Sequence, residues 1–175
     1  MISESWILNL AQSQWETQDQ KWDHSPKSNP QTLFMSFQKI LSHSKHACER
    51  FNQYSTPQRQ MRYMAGPPDA SMDTGSFILL LGRCDARLSL AKDTLRLEVA
   101  AAENFSRSTS LSETFTAHTG SLSETFWKQS DGFLYTEELI SMLMLEELVK
   151  TWWNYQGSKL EKSTSRKDDA REYHL

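Results

Sequence analysis

The chain has 175 residues, with 19 Lys and Arg against 22 Asp and Glu for a net charge of −3, and only 38% hydrophobic residues although aromatics reach 11%. This length suits one domain with a sizeable core. Six glycines exclude a collagen-like chain, no apolar run approaches the ~18 residues of a membrane helix, and the balanced charge lacks the clustered basic surface of a nucleic-acid binder.

Residues 3–22 read as an amphipathic arm, with Trp6, Ile7, Leu10, Ala11 and Trp15 at helical spacing. The stripe is narrow, so the arm has to dock on something. A polar break from Asp23 to Pro30 follows. Asn29 and Pro30 are cap and first residue of a helix whose face is Leu33, Phe34, Phe37, Ile40, Leu41, Ala47, Cys48, Phe51 and Tyr54, ending before Thr56-Pro57. Residues 55–75 are the least regular part, with Gln58–Met64 suited to an edge strand and Gly66–Asp69 to a loop.

From Ser76 the period drops to two. Phe77–Leu81 is a continuous apolar run, as in a strand covered on both faces. A turn at Lys92-Asp93 pairs Leu90 with Leu95, Leu88 with Leu97 and Ala86 with Val99, and sets Arg87 opposite Glu98 on the outer face. Ala101–Thr109 reads as an irregular or helical link. Ser110–Phe115 then recurs as Ser121–Phe126, and a two-residue turn at Thr119-Gly120 makes the copies antiparallel neighbours. Asp131-Gly132 turns the chain once more. Thr136 caps a last helix running through Trp152 and Trp153 to Gly157, and the polar sequence beyond is expected to be a mobile tail.

The sum is an α+β fold: an antiparallel β-meander of five to six strands, with N-terminal and C-terminal helices packed mainly on one face. Residues 1–28 form the arm and linker, 29–156 the domain and 157–175 the tail. The order of elements resembles, in architecture alone, small secretion-chaperone-like dimers and ligand-cradling sheets closed by a C-terminal helix. Cys48 and Cys84 cannot build a disulfide framework, and Met1–Trp6 lacks the basic and apolar regions of a secretion signal, so a cytoplasmic protein is expected.

Chemistry-bearing motifs are sparse. In His43-x-x-His46-x-Cys48, about 100° per residue sets Cys48 about 40°, His43 about 100° and His46 about 160° from a stripe centred on Ser44, too scattered to share a metal. The Thr119-Gly120 turn puts Glu113 and Glu124 on one apolar face as diagonal neighbours, about 7–8 Å apart, where two carboxylates could split their pKa values. An alternative turns the Thr125/Trp127 side to the core. His118 falls at the turn, where it is expected to be solvated. No nucleophile elbow, P-loop or dinucleotide fingerprint is present. No catalytic residue, metal or cofactor is expected.

The last helix has two apolar arcs. A wide one holds Leu139, Met142, Leu143, Leu145, Leu148, Val149, Trp152 and Trp153, with Glu146 inside it, and a second holds Ile140, Met144 and Tyr155. One sheet needs one arc. With the wide arc on the sheet, the second must meet another helix (the arm or Leu33–Tyr54), a partner chain or a ligand. Ile140, Met144 and Tyr155, together with Trp152 and Trp153 at the end and Trp6 and Trp15 of the arm, are the candidate contacts to a protein partner or a second copy. The expected function is a non-enzymatic interaction or accessory module. The alternative is a small-ligand binder or enzyme with a pocket between sheet and last helix, its polarity supplied by Glu113, Glu124 or Glu146.

Overall fold

Asn29 is held extended and its Oδ1 accepts a 3.0 Å hydrogen bond from the Gln31 N–H, while Pro30 occupies the first helical turn. These residues start α1 (Pro30–Tyr54), the first element in a computed structural model that describes residues 29–66, 74–120 and 124–169, with side chains up to Gly157. The arm, with Trp6 and Trp15, lies outside the described residues. Leu33, Phe37, Ile40, Ser44 and Cys48 form the buried face of α1. Thr56 precedes a proline and cannot stay helical, so the chain passes through a short 3-10 turn, Pro57–Arg59, into β1 (Met61–Ala65). Asn52 binds the two elements together. Its Nδ2 donates to the Met61 carbonyl at 2.8 Å, and its Oδ1 accepts from the Met61 N–H at 2.7 Å. Asn52→Ala strips both backbone groups of their partner and is expected to cost about 1–3 kcal/mol, read as a lower urea midpoint; an unchanged midpoint would show that the clamp contributes nothing.

The remaining strands are β2 (Thr74–Leu81), β3 (Cys84–Ala91), β4 (Thr94–Glu103), β5 (Ser106–Thr119), β6 (Thr125–Gln129) and β7 (Leu134–Tyr135). They pair antiparallel in sequence order, so the sheet is a seven-stranded meander. The β3–β4 hairpin has the register its alternation requires, with Leu90 opposite Leu95, Leu88 opposite Leu97 and Ala86 opposite Val99, all buried.

Three features of the sheet depart from the sequence expectation. Ala101–Thr109 is not a link: β4 and β5 continue through it and turn at Asn104-Phe105, both at positive φ. The Ala-rich stretch has helical propensity, but pairing with β5 overrides it. The ladder also shifts between Val99 and Ala100, where Ser110 bulges out and bonds the Val99 carbonyl and the Thr151 hydroxyl. Second, the Phe77–Leu81 run is not covered equally: Phe77, Leu79 and Leu81 are buried, while Ile78 and Leu80 are half-buried on the outer face, where no described helix lies. Third, β6 pairs with β5 so that His118 faces Phe126 instead of Ser121, a shift of five residues. An odd shift exchanges the two faces of a strand. Thr125 and Trp127 are therefore buried, and Phe126 is only half-buried. His118 lies within β5, half-buried, and is not at a solvated turn.

Arg87 stands opposite Glu98 but bonds Asp85 at 2.6 Å, while Glu98 is taken by Arg96 and Arg107. Arg107 also reaches Asp85 at 2.8 Å. Burial works to raise the Asp85 pKa, but hydrogen bonds and charge from Arg107 and Arg87 outweigh it and hold the carboxyl below its usual value. A depressed carboxyl stabilises the fold above the unfolded pKa, about 3.9, and loses that contribution as pH falls through its folded value. Thermal midpoints are expected to drop on acidification, less steeply in Asp85→Asn than in wild type; equal slopes would contradict the assignment.

Thr136 Oγ1 accepts from the Leu139 N–H at 3.3 Å and starts α2 (Glu137–Asp169). Gly157 does not end it. The helix has 33 residues, about 50 Å at 1.5 Å per residue, and a Cβ at Gly157 would meet nothing within 4 Å. Both helices pack on the inner face of the sheet, α2 across β2, β3 and β4 and α1 beside β1, β2 and β6, so the sheet curls around the pair. Ser36 donates to Glu137 at 2.9 Å, and Ser44 and Ser141 share a 2.9 Å hydrogen bond. These contacts advance in the same sense along both helices, which therefore run side by side with the same polarity.

Candidate interaction surface

The buried stripe of α2 is Ile140, Met144, Leu148, Thr151 and Tyr155, joined by Ser141 against α1. Ile140 and Met144 are 0% exposed. The arc expected to be left over is thus the one the sheet uses, and Ile140, Met144 and Tyr155 are core residues with no free surface to offer a partner. Of the wide arc, Leu148 is buried and Leu143, Leu145, Val149 and Trp152 pack partly against the core, while Met142, Glu146 and Trp153 turn outward. Glu146 within it is the signal that separates the two: a carboxylate at the middle of an arc marks the solvent side. Its side chain is 63% exposed and pairs with Lys150 at 3.0 Å.

About 100° per residue places Met142 and Trp153 about 160–180° from Met144. They are 47% and 67% exposed. Leu139, Met142, Glu146, Val149, Trp153 and Gln156 follow one another at spacings of three and four, the pattern of a coiled-coil seam, with Leu139 and Val149 half-buried. Trp152 sits at the edge of this row. It packs over the turn at Gly82 and under the Arg59 guanidinium, 5.7 Å from its ring, so it is half spent within its own chain.

Charge is divided along the same helix. Residues 137–150 carry four glutamates against Lys150; beyond Gly157 the helix carries four basic residues, all within 159–167, against Glu161 and the terminal Asp168 and Asp169. Lys150 bonds both Glu146 and Glu147.

The proposed pocket carboxylates are not brought together. Glu113 does lie on the inner face of β5, where it accepts from Gln129 Nε2 at 2.6 Å, and Gln129 in turn accepts from the Tyr135 hydroxyl at 3.0 Å. Burial, with the charges of Asp131 and Glu113, pushes the Tyr135 pKa up, so the phenol stays a donor. Glu124 ends the loop before β6, because the shifted β5–β6 register carries it away from Glu113. It lines a cleft of about 460 Å³ between α1, β6 and the start of α2, with Met35, Ser36, Lys39, Phe126 and Glu137. Glu146 lies on the outer face of α2, away from any pocket beneath the helix.

His43 and His46 are exposed while Cys48 is buried with its thiol on the Met61 carbonyl at 3.5 Å, so the three do not converge. Burial pushes the Cys84 thiol up to about 11, far from a nucleophile. Among the described residues no helix is long and apolar enough to cross a membrane. No protein-family model, curated protein or solved structure matches the chain.

Proposed function

We propose that the chain is a protein-interaction module whose contact surface is the outer row of α2, and that its occupant is a second copy of the chain. The observation that carries this is Met142 and Trp153 standing exposed on a seam-spaced row, directly opposite the stripe that packs on the sheet. A helix that serves one sheet needs one apolar face. Trp and Met are residues that anchor and adapt protein contacts. Charge favours self-pairing over a foreign helix, because the acidic first part of α2 complements the net basic stretch 159–167 when two copies meet antiparallel.

Sedimentation equilibrium of the full chain tests it. A concentration-dependent approach to twice 20.3 kDa is expected. The same series on Trp6→Ser/Trp15→Ser examines the other candidate occupant, the amphipathic arm. An unchanged dimer supports the second copy. A monomeric wild type that dimerises only when the arm is altered would show that the arm covers the row, and would overturn the proposal.

A ligand-binding reading has one observation in its favour. Lys39 of α1 and Glu124, just before β6, both line the cleft beside Phe126 and Met35, and among the described residues neither side chain makes a hydrogen bond or an ion pair. Such walls suit a small zwitterion, its carboxylate on Lys39 and its ammonium on Glu124. Isothermal titration with free amino acids, repeated on Glu124→Gln, checks it: heat lost in the variant supports the site, and no heat in the wild type removes it.

A further inference from the structure

Resting on the reading of α2 as a self-association surface, we infer that the two copies pair antiparallel in one register, pinned where Glu146 of each meets Gln156 of the other. These are the two polar positions in a row otherwise formed by Leu139, Met142, Val149 and Trp153. Both are exposed in the single chain, so pairing would desolvate them. Lys150 holds one oxygen of the Glu146 carboxylate at 3.0 Å, and an amide N–H₂ directly opposite supplies a donor for the other when pairing desolvates it. Polar seam residues specify register and orientation because other alignments set them against apolar side chains or against their own kind.

Counting along the helix, the alignment that sets Glu146 against Gln156 also sets Val149 against Trp153. The two-fold axis then falls at Thr151, whose own side chain faces inward to Ser110 and stays clear of the seam. A parallel pairing sets Glu146 against Glu146 and Gln156 against Gln156. It also stacks the acidic parts of both helices together, and the basic parts likewise. Antiparallel pairing exchanges these repulsions for attractions. The helix makes room for this alignment by continuing past Gly157 to Asp169, beyond Tyr155, the last core residue among the described side chains.

The test uses two full-length variants carrying different tags, Glu146→Cys and Gln156→Cys, mixed, left to exchange subunits and then oxidised gently. In the mixed pair one Glu146–Gln156 contact is replaced by the two thiols, and the other survives intact to hold the register. The native Cys48 and Cys84 are buried and do not compete. The mixed-tag disulfide is expected to dominate a non-reducing gel, with like-with-like products near background. Like-with-like cross-links in a protein of dimeric mass would overturn the antiparallel register and leave self-association standing. A dimeric mass with no cross-link would likewise overturn the register. A monomeric mass with no cross-link would overturn the self-association reading as well.

Discussion

Trp127→Ala is expected to destabilise the fold by about 3–5 kcal/mol, the largest effect of any single truncation in the sheet. Trp127 is the bulkiest fully buried side chain among the described residues. It stands opposite Ala117 on β5 and donates its indole N–H to Ser36 Oγ on α1 at 3.1 Å, so it joins the far end of the sheet to the helix layer. Ser36 passes the contact on to Glu137, the first residue of α2. Truncation leaves a cavity where three elements meet and deprives the serine oxygen of its donor. Trp127→Phe keeps most of the apolar volume and loses the hydrogen bond, which costs about 1–3 kcal/mol. Urea unfolding of the three proteins measures both terms. Equal midpoints for Trp127→Ala and Trp127→Phe would contradict the placement of this ring.

The second large effect is on assembly and leaves the fold alone. Trp153→Gln combined with Met142→Gln removes both exposed anchors of the α2 row while keeping good helix formers at both positions. Truncating a Trp anchor at the centre of an interface costs about 2 kcal/mol or more, roughly a thirtyfold rise in dissociation constant, and the second substitution adds to it. Neither side chain belongs to the core, so monomer stability should change by no more than about 0.5 kcal/mol. Met144→Gln is the contrast. It lies two residues from Met142 but is fully buried, and the same chemical change there places an amide in the core and is expected to unfold the chain. A Met142/Trp153 variant that stays dimeric would move the contact away from this helix face.

Much of the fold follows from local pattern. Strict alternation with opposite charges on the outer face leaves the β3–β4 hairpin one register. Asn29-Pro30 and Thr136 mark helix starts through chemistry that depends only on neighbouring residues. Where long-range packing decides, the sequence is ambiguous. The repeat Ser110–Phe115/Ser121–Phe126 invites a two-residue turn, but burying Trp127 and bonding its N–H to Ser36 favours the register five residues away. The separation of Glu113 from Glu124 follows directly. The two arcs of α2 show the same ambiguity in a helix. Counting apolar residues favours the wide arc as core, whereas the slimmer stripe of Ile140, Met144, Leu148 and Tyr155, with Ser141 and Thr151 beside it, fits inside the curled sheet. Glu146 carried the deciding information in the sequence, because a charge in mid-arc is compatible with solvent and not with the core.

Hydroxyl-radical footprinting of the methionines across a dilution series tests the central claim most directly, since three of them report in one experiment. Met35 is exposed on α1 and Met144 is buried against the sheet, which fixes the two ends of the scale. Met142, on the outer row of α2, is expected to oxidise as slowly as Met144 when the protein is concentrated and to approach Met35 as it is diluted through the dissociation constant. Met142 oxidising at one unchanging rate throughout, in a protein whose mass still doubles with concentration, would show that the copies meet through another surface.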